Sequence, residues 1–179
     1  MKANRRKLII VIMRLFHITD NITYKIGDVI SVNDFEGNMC FYHEKHIEHR
    51  WINDFLNACK PDNYPSRRKC IYAFDNPGHC FFFLSREPLI TDHCYEVEMN
   101  AVGGFPMILT GWMIRHRNNT DSLRNIAEEY WHPTNPWNFC EYMGSEMTII
   151  SEVKFDASQR NKSRDEYMMD YDRALYIFR

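Results

Sequence analysis

The chain has 179 residues, of which 45% are hydrophobic and 26% are charged, and its formal net charge is −2. This balance is typical of a globular protein, and it excludes intrinsic disorder, collagen-like repeats and a uniformly basic nucleic-acid-binding surface. A domain has about 150 residues, so the length predicts one domain over residues 1–179. Residues 1–12 are the candidate for an N-terminal extension.

In the first half of the chain, hydrophobic spacing predicts strands on either side of one helix. Residues 8–19 are apolar and β-branched enough for a strand, and a short extended piece follows over residues 25–31. Residues 43–60 repeat their apolar positions at helical spacing and predict an amphipathic helix that ends at Pro61. Residues 69–74 predict a buried strand, which a turn over residues 75–78 closes.

The second half of the chain mixes clear and ambiguous segments. Alternation predicts a strand over residues 94–99, an N-cap and helical spacing predict a helix over residues 121–131, and residues 147–155 predict the last clear strand. Periodicity leaves three segments open between helix and strand: residues 79–85, 105–112 and 167–178. The mixture indicates the α+β class.

Two features bear on where the protein resides. The apolar run over residues 8–13 is too short for a signal peptide or a membrane span, so a soluble protein without a membrane partner is expected. The six cysteines form no C-x-x-C pair, in a chain long enough to fold without disulfides. These features predict reduced thiols and a cytoplasmic location.

Several other short motifs are candidates for functional sites. His43, His46 and His49 have regular spacing, but on a helix they drift off one face, so a solvated helix edge is expected there and no metal site. The adjacent pairs at residues 79–80 and 93–94 do not chelate easily, because neighbouring strand residues point to opposite faces. The basic clusters at residues 67–69 and 115–117 predict solvated loops. The glycine-rich phosphate-binding motifs and the G-x-S-x-G motif are missing from the sequence.

A series of short motifs, by contrast, occurs in a suggestive order. The motifs are Leu15-Phe16-His17-Ile18-Thr19, Tyr24-Lys25-Ile26-Gly27-Asp28-Val29-Ile30, Cys70-Ile71-Tyr72-Ala73-Phe74, Asn76-Pro77-Gly78-His79-Cys80 and Cys94-Tyr95-Glu96-Val97. In this order they resemble the ADP-ribosyltransferase superfamily, including its rifamycin-modifying transferases, the DNA-modifying transferases of toxin systems, and uncharacterised bacterial and phage members. The resemblance covers roughly residues 13–99, with a weaker match over residues 140–155.

The resemblance implies an ADP-ribosyltransferase-like fold, with split mixed β-sheets and flanking helices. It also implies NAD as co-substrate and a mono-ADP-ribosyltransferase that releases nicotinamide. The ADP-ribose acceptor would be a macromolecule, with protein and nucleic acid both open, and the setting would be a toxin system or a phage–host conflict.

The superfamily's His-Tyr-Glu constellation can be carried over position by position. The histidine that holds the adenosine-side ribose matches His17, and the tyrosine that stacks on nicotinamide matches Tyr72. Their strand neighbours Thr19 and Phe74 complete the expected NAD-binding set. The carboxylate that opens the last core strand matches Glu146 best, and Glu141 is the competing choice.

Two departures from the pattern are visible. Ile18 stands where many members have glycine, and the stretch between Tyr95 and Glu146 is unusually long. The alternatives are therefore a catalytically silent relative that binds a nucleotide or a protein partner, and a different enzyme on the same scaffold, such as one that hydrolyses NAD or transfers a tRNA 2′-phosphate.

Overall fold

The computed structural model describes residues 11–20, 23–34, 50–83 and 92–178. This part of the chain contains five strands and five helices. The strands are β1 (Val11–Asp20), β2 (Val29–Ser31), β3 (Ile71–Phe74), β4 (Asp92–Pro106) and β5 (Cys140–Val153). The helices are α1 (Arg50–Cys59), α2 (Pro77–Phe83), α3 (Ile108–Arg115), α4 (Thr120–Trp131) and α5 (Ala157–Ile177).

The described strands form a single sheet in the order β2-β5-β3-β1-β4, and β4 pairs with β5 as well. Each of their pairings is antiparallel. Strands β4 and β5 are 15 and 14 residues long, and strands of that length accumulate enough twist to curl the sheet. As a result, β1, β3, β5 and β4 pair in a closed ring. The α+β class is confirmed, whereas the expected split into mixed sheets differs from this single antiparallel sheet.

A β-bulge in β5 reverses which side chains face the inside of the curled sheet. Ala101 pairs with Gly144 and Met99 pairs with Met147, so three steps along β5 oppose two along β4. Before the bulge, Met143 packs against the helices, while after it Met147 packs inside the sheet. The bulge falls on Ser145 and Glu146 and therefore sets the direction of the predicted catalytic carboxylate.

Three apolar clusters hold the fold together. The largest cluster lies between the sheet and helices α1, α3 and α4, and it contains Leu56, Trp112 and Tyr130 among others. A second lies inside the curled sheet around Leu15 and Val97, and an aromatic third surrounds Phe139 beside α2. The predicted helix over residues 43–60 corresponds in its described part to α1, since residues 43–49 lie outside the described residues.

The segment over residues 75–83 starts a helix where the sequence predicted a turn over residues 75–78. Asn76 accepts a hydrogen bond from the Gly78 backbone N–H at 2.8 Å, and Pro77 occupies the first position of α2, an arrangement that favours helix initiation. Gly78 also permits close packing, because an added Cβ would lie 2.6 Å from the Gln159 carbonyl oxygen of α5.

Other predicted segments also have different bounds in the structure. The open segment over residues 105–112 divides between the end of β4 and the start of α3. The strand predicted over residues 147–155 begins earlier, at Cys140. The polar residues 156–165 and the open segment 167–178 form one helix, α5, in which Asp156 accepts hydrogen bonds from the Ser158 and Gln159 backbone N–H groups at 2.7 and 3.3 Å.

Candidate functional site

His17 lies where β1 and β3 separate. The two strands pair at one position only, Phe16 with Phe74. Beyond it, the His17 Nδ1 lies 2.7 Å from the backbone carbonyl oxygen of Tyr72. Because a carbonyl oxygen can only accept, Nδ1 carries the proton, and in the neutral ring Nε2 is left as an acceptor. Burial lowers the pKa of His17, and the bond to the Tyr72 carbonyl only partly opposes this shift.

Tyr72 and His17 send their side chains to opposite faces of the sheet. Directly paired residues share a face, so the Phe16–Phe74 pair places Tyr72 with the helices and His17 on the inner face beside Tyr95. The Tyr72 phenol donates a 2.7 Å hydrogen bond to the Arg67 carbonyl, and the Arg67 guanidinium carbon lies 5.1 Å from the ring centroid. The ring expected to stack on nicotinamide is therefore occupied by contacts with Arg67.

Glu146 is an exposed carboxylate in the bulge of β5, directly opposite Ser31 of β2. Met147 and Ile149 are buried inside the sheet, so Glu146 points outward together with Thr148. Tyr72 pairs with Met143, three residues before Glu146 on the neighbouring strand, a separation of roughly 10 Å along the strand. Within the described part of the chain, the Glu146 carboxylate forms no ion pair. Glu146 lies inside β5, whereas the sequence placed it just ahead of a strand.

Glu141, the competing carboxylate, has the opposite environment. It lies in β5, and only 2% of its surface is exposed. It forms a salt bridge with Arg67 Nη1 and accepts a hydrogen bond from the Tyr130 phenol. Arg67 also donates from Nε to Asn53 Oδ1 at 2.9 Å. The carboxylate is thus committed to a buried polar network.

Arg67 is the residue that the sequence interpretation missed. It was assigned to a solvated basic loop, yet it is 3% exposed. Burial opposes its charge, but Glu141 and Tyr130 outweigh that effect and hold the pKa of Arg67 well above its usual value. Burial raises the pKa of Tyr130, so the phenol keeps its proton. No local spacing could reveal this network, because its acidic partner lies 74 residues away.

Thr19 and Phe74, the remaining members of the expected NAD-binding set, are both buried. Thr19 pairs with His93 across the β1–β4 ladder. The Phe74 ring stacks on Phe83 with centroids 5.4 Å apart and meets Phe139 edge-on. In this structure Phe74 is thus engaged in aromatic packing.

The described histidines and cysteines do not assemble into a metal site. No group of three or more metal-ligating side chains occurs within the described residues, and the His43, His46 and His49 series lies outside them. His79 is buried against Phe139 and its Nε2 lies 2.9 Å from Glu166 Oε2, which connects α2 with α5. The five described cysteines are free thiols.

Comparison of the chain with protein-family models and with curated proteins finds no match. None of the described helices has both the length and the apolar character needed to cross a membrane.

Proposed function

We propose that the protein is an NAD-dependent mono-ADP-ribosyltransferase that transfers ADP-ribose to a macromolecular acceptor. The observation that carries this proposal is the strand order β5-β3-β1, which brings Glu146, Tyr72 and His17 onto three neighbouring strands. Their order in the sequence resembles the His-Tyr-Glu constellation of the superfamily, and the fold brings strands together whose site residues are 55 or more positions apart in the chain.

The proposed reaction breaks the bond between nicotinamide and C1′ of its ribose. Nicotinamide leaves with the bonding electron pair, and a nucleophile of the acceptor forms the new bond to C1′ and loses its proton. Positive charge develops on the ribose in the transition state, and a carboxylate that holds a ribose hydroxyl stabilises this charge. Glu146 suits this role better than Glu141 because its carboxylate is exposed and Glu141 is committed to Arg67.

His17 suits the binding of a ribose hydroxyl. Its Nδ1–H is directed to the Tyr72 carbonyl, so the orientation of the ring is fixed and Nε2 accepts a hydrogen bond without a change of tautomer. The lowered pKa of His17 supports the same role, because the neutral form is the one with an acceptor nitrogen.

A specific observation favours the second candidate, a catalytically silent relative that binds a nucleotide or a protein partner. The side chains of His17 and Tyr72 leave the sheet on opposite faces, and Tyr72 is engaged with Arg67. Unless Tyr72 moves, another surface must receive the nicotinamide ring.

Calorimetric titration with NAD, combined with a nicotinamide-release assay, tests the proposal. A cell lysate supplies the unknown acceptor, and radiolabelled NAD makes the transfer of ADP-ribose to it measurable. Glu146→Gln should slow transfer by at least about a hundredfold, the scale of losing one electrostatic stabiliser, and should retain most NAD affinity. Glu152→Gln, an exposed position on the same strand, is the control and should stay close to wild type. Absence of NAD binding at millimolar concentration would refute the proposal, and binding without nicotinamide release would favour the silent relative.

A further inference from the structure

A cavity of about 150 Å³ lies between the helices, on the face of the sheet away from the His17 ring. Arg67, Asn53 and Thr110 supply polar lining, and Phe82, Met107 and Tyr167 supply much of the apolar lining. None of the expected NAD-site residues lines it, although two lining residues contact that set: Arg67 contacts Tyr72, and Phe83 stacks on Phe74. The inference drawn from it does not depend on ADP-ribosyl transfer.

The polar side of the cavity retains hydrogen-bonding capacity. A guanidinium group has five N–H donors in one plane. Arg67 directs Nε to Asn53, and Nη1 to Tyr130 and Glu141. No hydrogen bond between described residues uses its Nη2. Arg67 lines the cavity, so we expect its Nη2 donors to be available to a ligand acceptor there.

Much of the cavity wall is aromatic and can pack against a ligand ring. The rings of Phe82 and Tyr167 stack on each other, with centroids 4.9 Å apart and an inclination of 28°, so a ligand packs beside this pair and not between its rings. Phe83 and Ile114 also line the cavity and are 36% and 37% exposed, so its rim is apolar and open to solvent. A volume near 150 Å³ accommodates a benzene-sized molecule.

The charge balance selects between neutral and anionic ligands. The Arg67 guanidinium is already neutralised by Glu141, which is likewise buried. An anionic ligand on Arg67 would place a second negative charge near the buried Glu141 carboxylate, which is costly. A neutral acceptor such as a carbonyl oxygen accepts from the guanidinium without that cost.

We infer that this cavity binds a small, neutral, planar aromatic molecule that carries a carbonyl-type hydrogen-bond acceptor. The ring occupies the space beside Phe82 and Tyr167, and the acceptor faces Arg67. The protein thereby has a ligand site to which neither His17 nor Glu146 contributes a side chain.

Three probes of similar size test the inference on the full chain by NMR titration. Acetophenone carries the acceptor, ethylbenzene lacks it, and benzoate carries a negative charge. Acetophenone should bind saturably and about tenfold more tightly than ethylbenzene, the effect of one net hydrogen bond, and more tightly than benzoate. Intermolecular NOEs should connect its ring protons to the methyl groups of Met107 and Ile114, which line the cavity.

Two substitutions at one glycine locate the binding. An added Cβ at Gly111 in α3 meets only the Tyr167 hydroxyl at 3.9 Å, so Gly111→Ala introduces no clash. Gly111→Ala should bind acetophenone within a few-fold of wild type, whereas Gly111→Leu should fill the cavity and reduce affinity at least tenfold.

Four results would overturn the inference: no saturable acetophenone binding, unchanged binding in a folded Gly111→Leu variant, equal affinity for ethylbenzene, or tighter binding of benzoate. The wild-type NOEs decide the location if Gly111→Leu does not fold. If acetophenone does not bind, nicotinamide release is still expected. Glu146→Gln should leave acetophenone binding unchanged, so the two proposals can fail separately.

Discussion

Glu141→Gln should destabilise the fold strongly, although the substitution changes few atoms. In the wild type, the Glu141 carboxylate is the anion that balances the buried Arg67 guanidinium. Glutamine retains one acceptor oxygen for Arg67 or Tyr130, but it removes the negative charge. Arg67 then remains a buried cation without a counter-charge, because Asn53 and Tyr130 contribute only neutral groups.

The structure sets the expected magnitude. Removing one partner of a buried ion pair costs about 3–5 kcal/mol, and both side chains here are 3% exposed, so solvent screens the pair weakly. The oxygen retained by glutamine favours the lower end, about 3 kcal/mol. In a chain of 179 residues, that loss corresponds to a fall in melting temperature of roughly 6–12 °C. Glu146→Gln should change stability by less than about 0.5 kcal/mol, since Glu146 is exposed.

Urea unfolding of both variants, followed by tryptophan fluorescence and circular dichroism, provides the measurement. The expected outcome is a crossed result, in which Glu141→Gln lowers the unfolding midpoint and Glu146→Gln lowers ADP-ribosyl transfer. A further variant, Arg67→Met/Glu141→Leu, should lose less stability than the sum of its single substitutions, because neither charge remains without a partner. Surface substitutions usually change the free energy of unfolding by less than about 0.5 kcal/mol. If Glu141→Gln changes it by no more than that, the pair of Arg67 and Glu141 does not stabilise the fold and the prediction is refuted.

Three other predictions concern titration, thiols and close packing. Burial lowers the pKa of His17 in the folded protein, so the unfolded chain binds more protons, and stability should fall as pH decreases below about 6.5. Urea unfolding at several pH values should show a smaller fall in stability for His17→Gln than for wild type. An equal fall in both would contradict this assignment. Thiol titration should modify Cys59 in the native protein, whereas the buried Cys70, Cys80, Cys94 and Cys140 should react only after denaturation, with all six thiols of the chain then recovered. Burial and nearby carboxylates raise the pKa of Cys140 to about 12, which slows its reaction further; recovery of two thiols or fewer would overturn the reduced state. Gly144→Ala should cost at least about 2 kcal/mol in unfolding free energy, because its Cβ would lie 2.7 Å from the Asn100 carbonyl oxygen, and a thermal midpoint equal to wild type would show that the two strands separate easily.

Features that depend on neighbouring residues were predictable from the sequence. Helices α1 and α4 were found because their apolar residues repeat with the helical period, and α4 also begins at a polar cap. The first strand was found because its residues are apolar and β-branched. Most of α2 and about half of α5 were left open between helix and strand for the corresponding reason. An aromatic run has no distinct period in α2, and in α5 only Ser163, Asp170 and Ala174 are buried, so no apolar stripe marks the helix.

The environments of the candidate site residues depended on the tertiary structure. Two glutamates five residues apart on β5 have opposite surroundings, because Glu141 meets Arg67 and Tyr130 while Glu146 falls in the bulge and faces solvent. The sequence by itself determined the α+β class and the order of the His17, Tyr72 and Glu146 motifs. Only the fold decided that they lie on neighbouring strands and that His17 and Tyr72 face opposite sides, because strand pairing and the parity of side chains are set by contacts between distant segments.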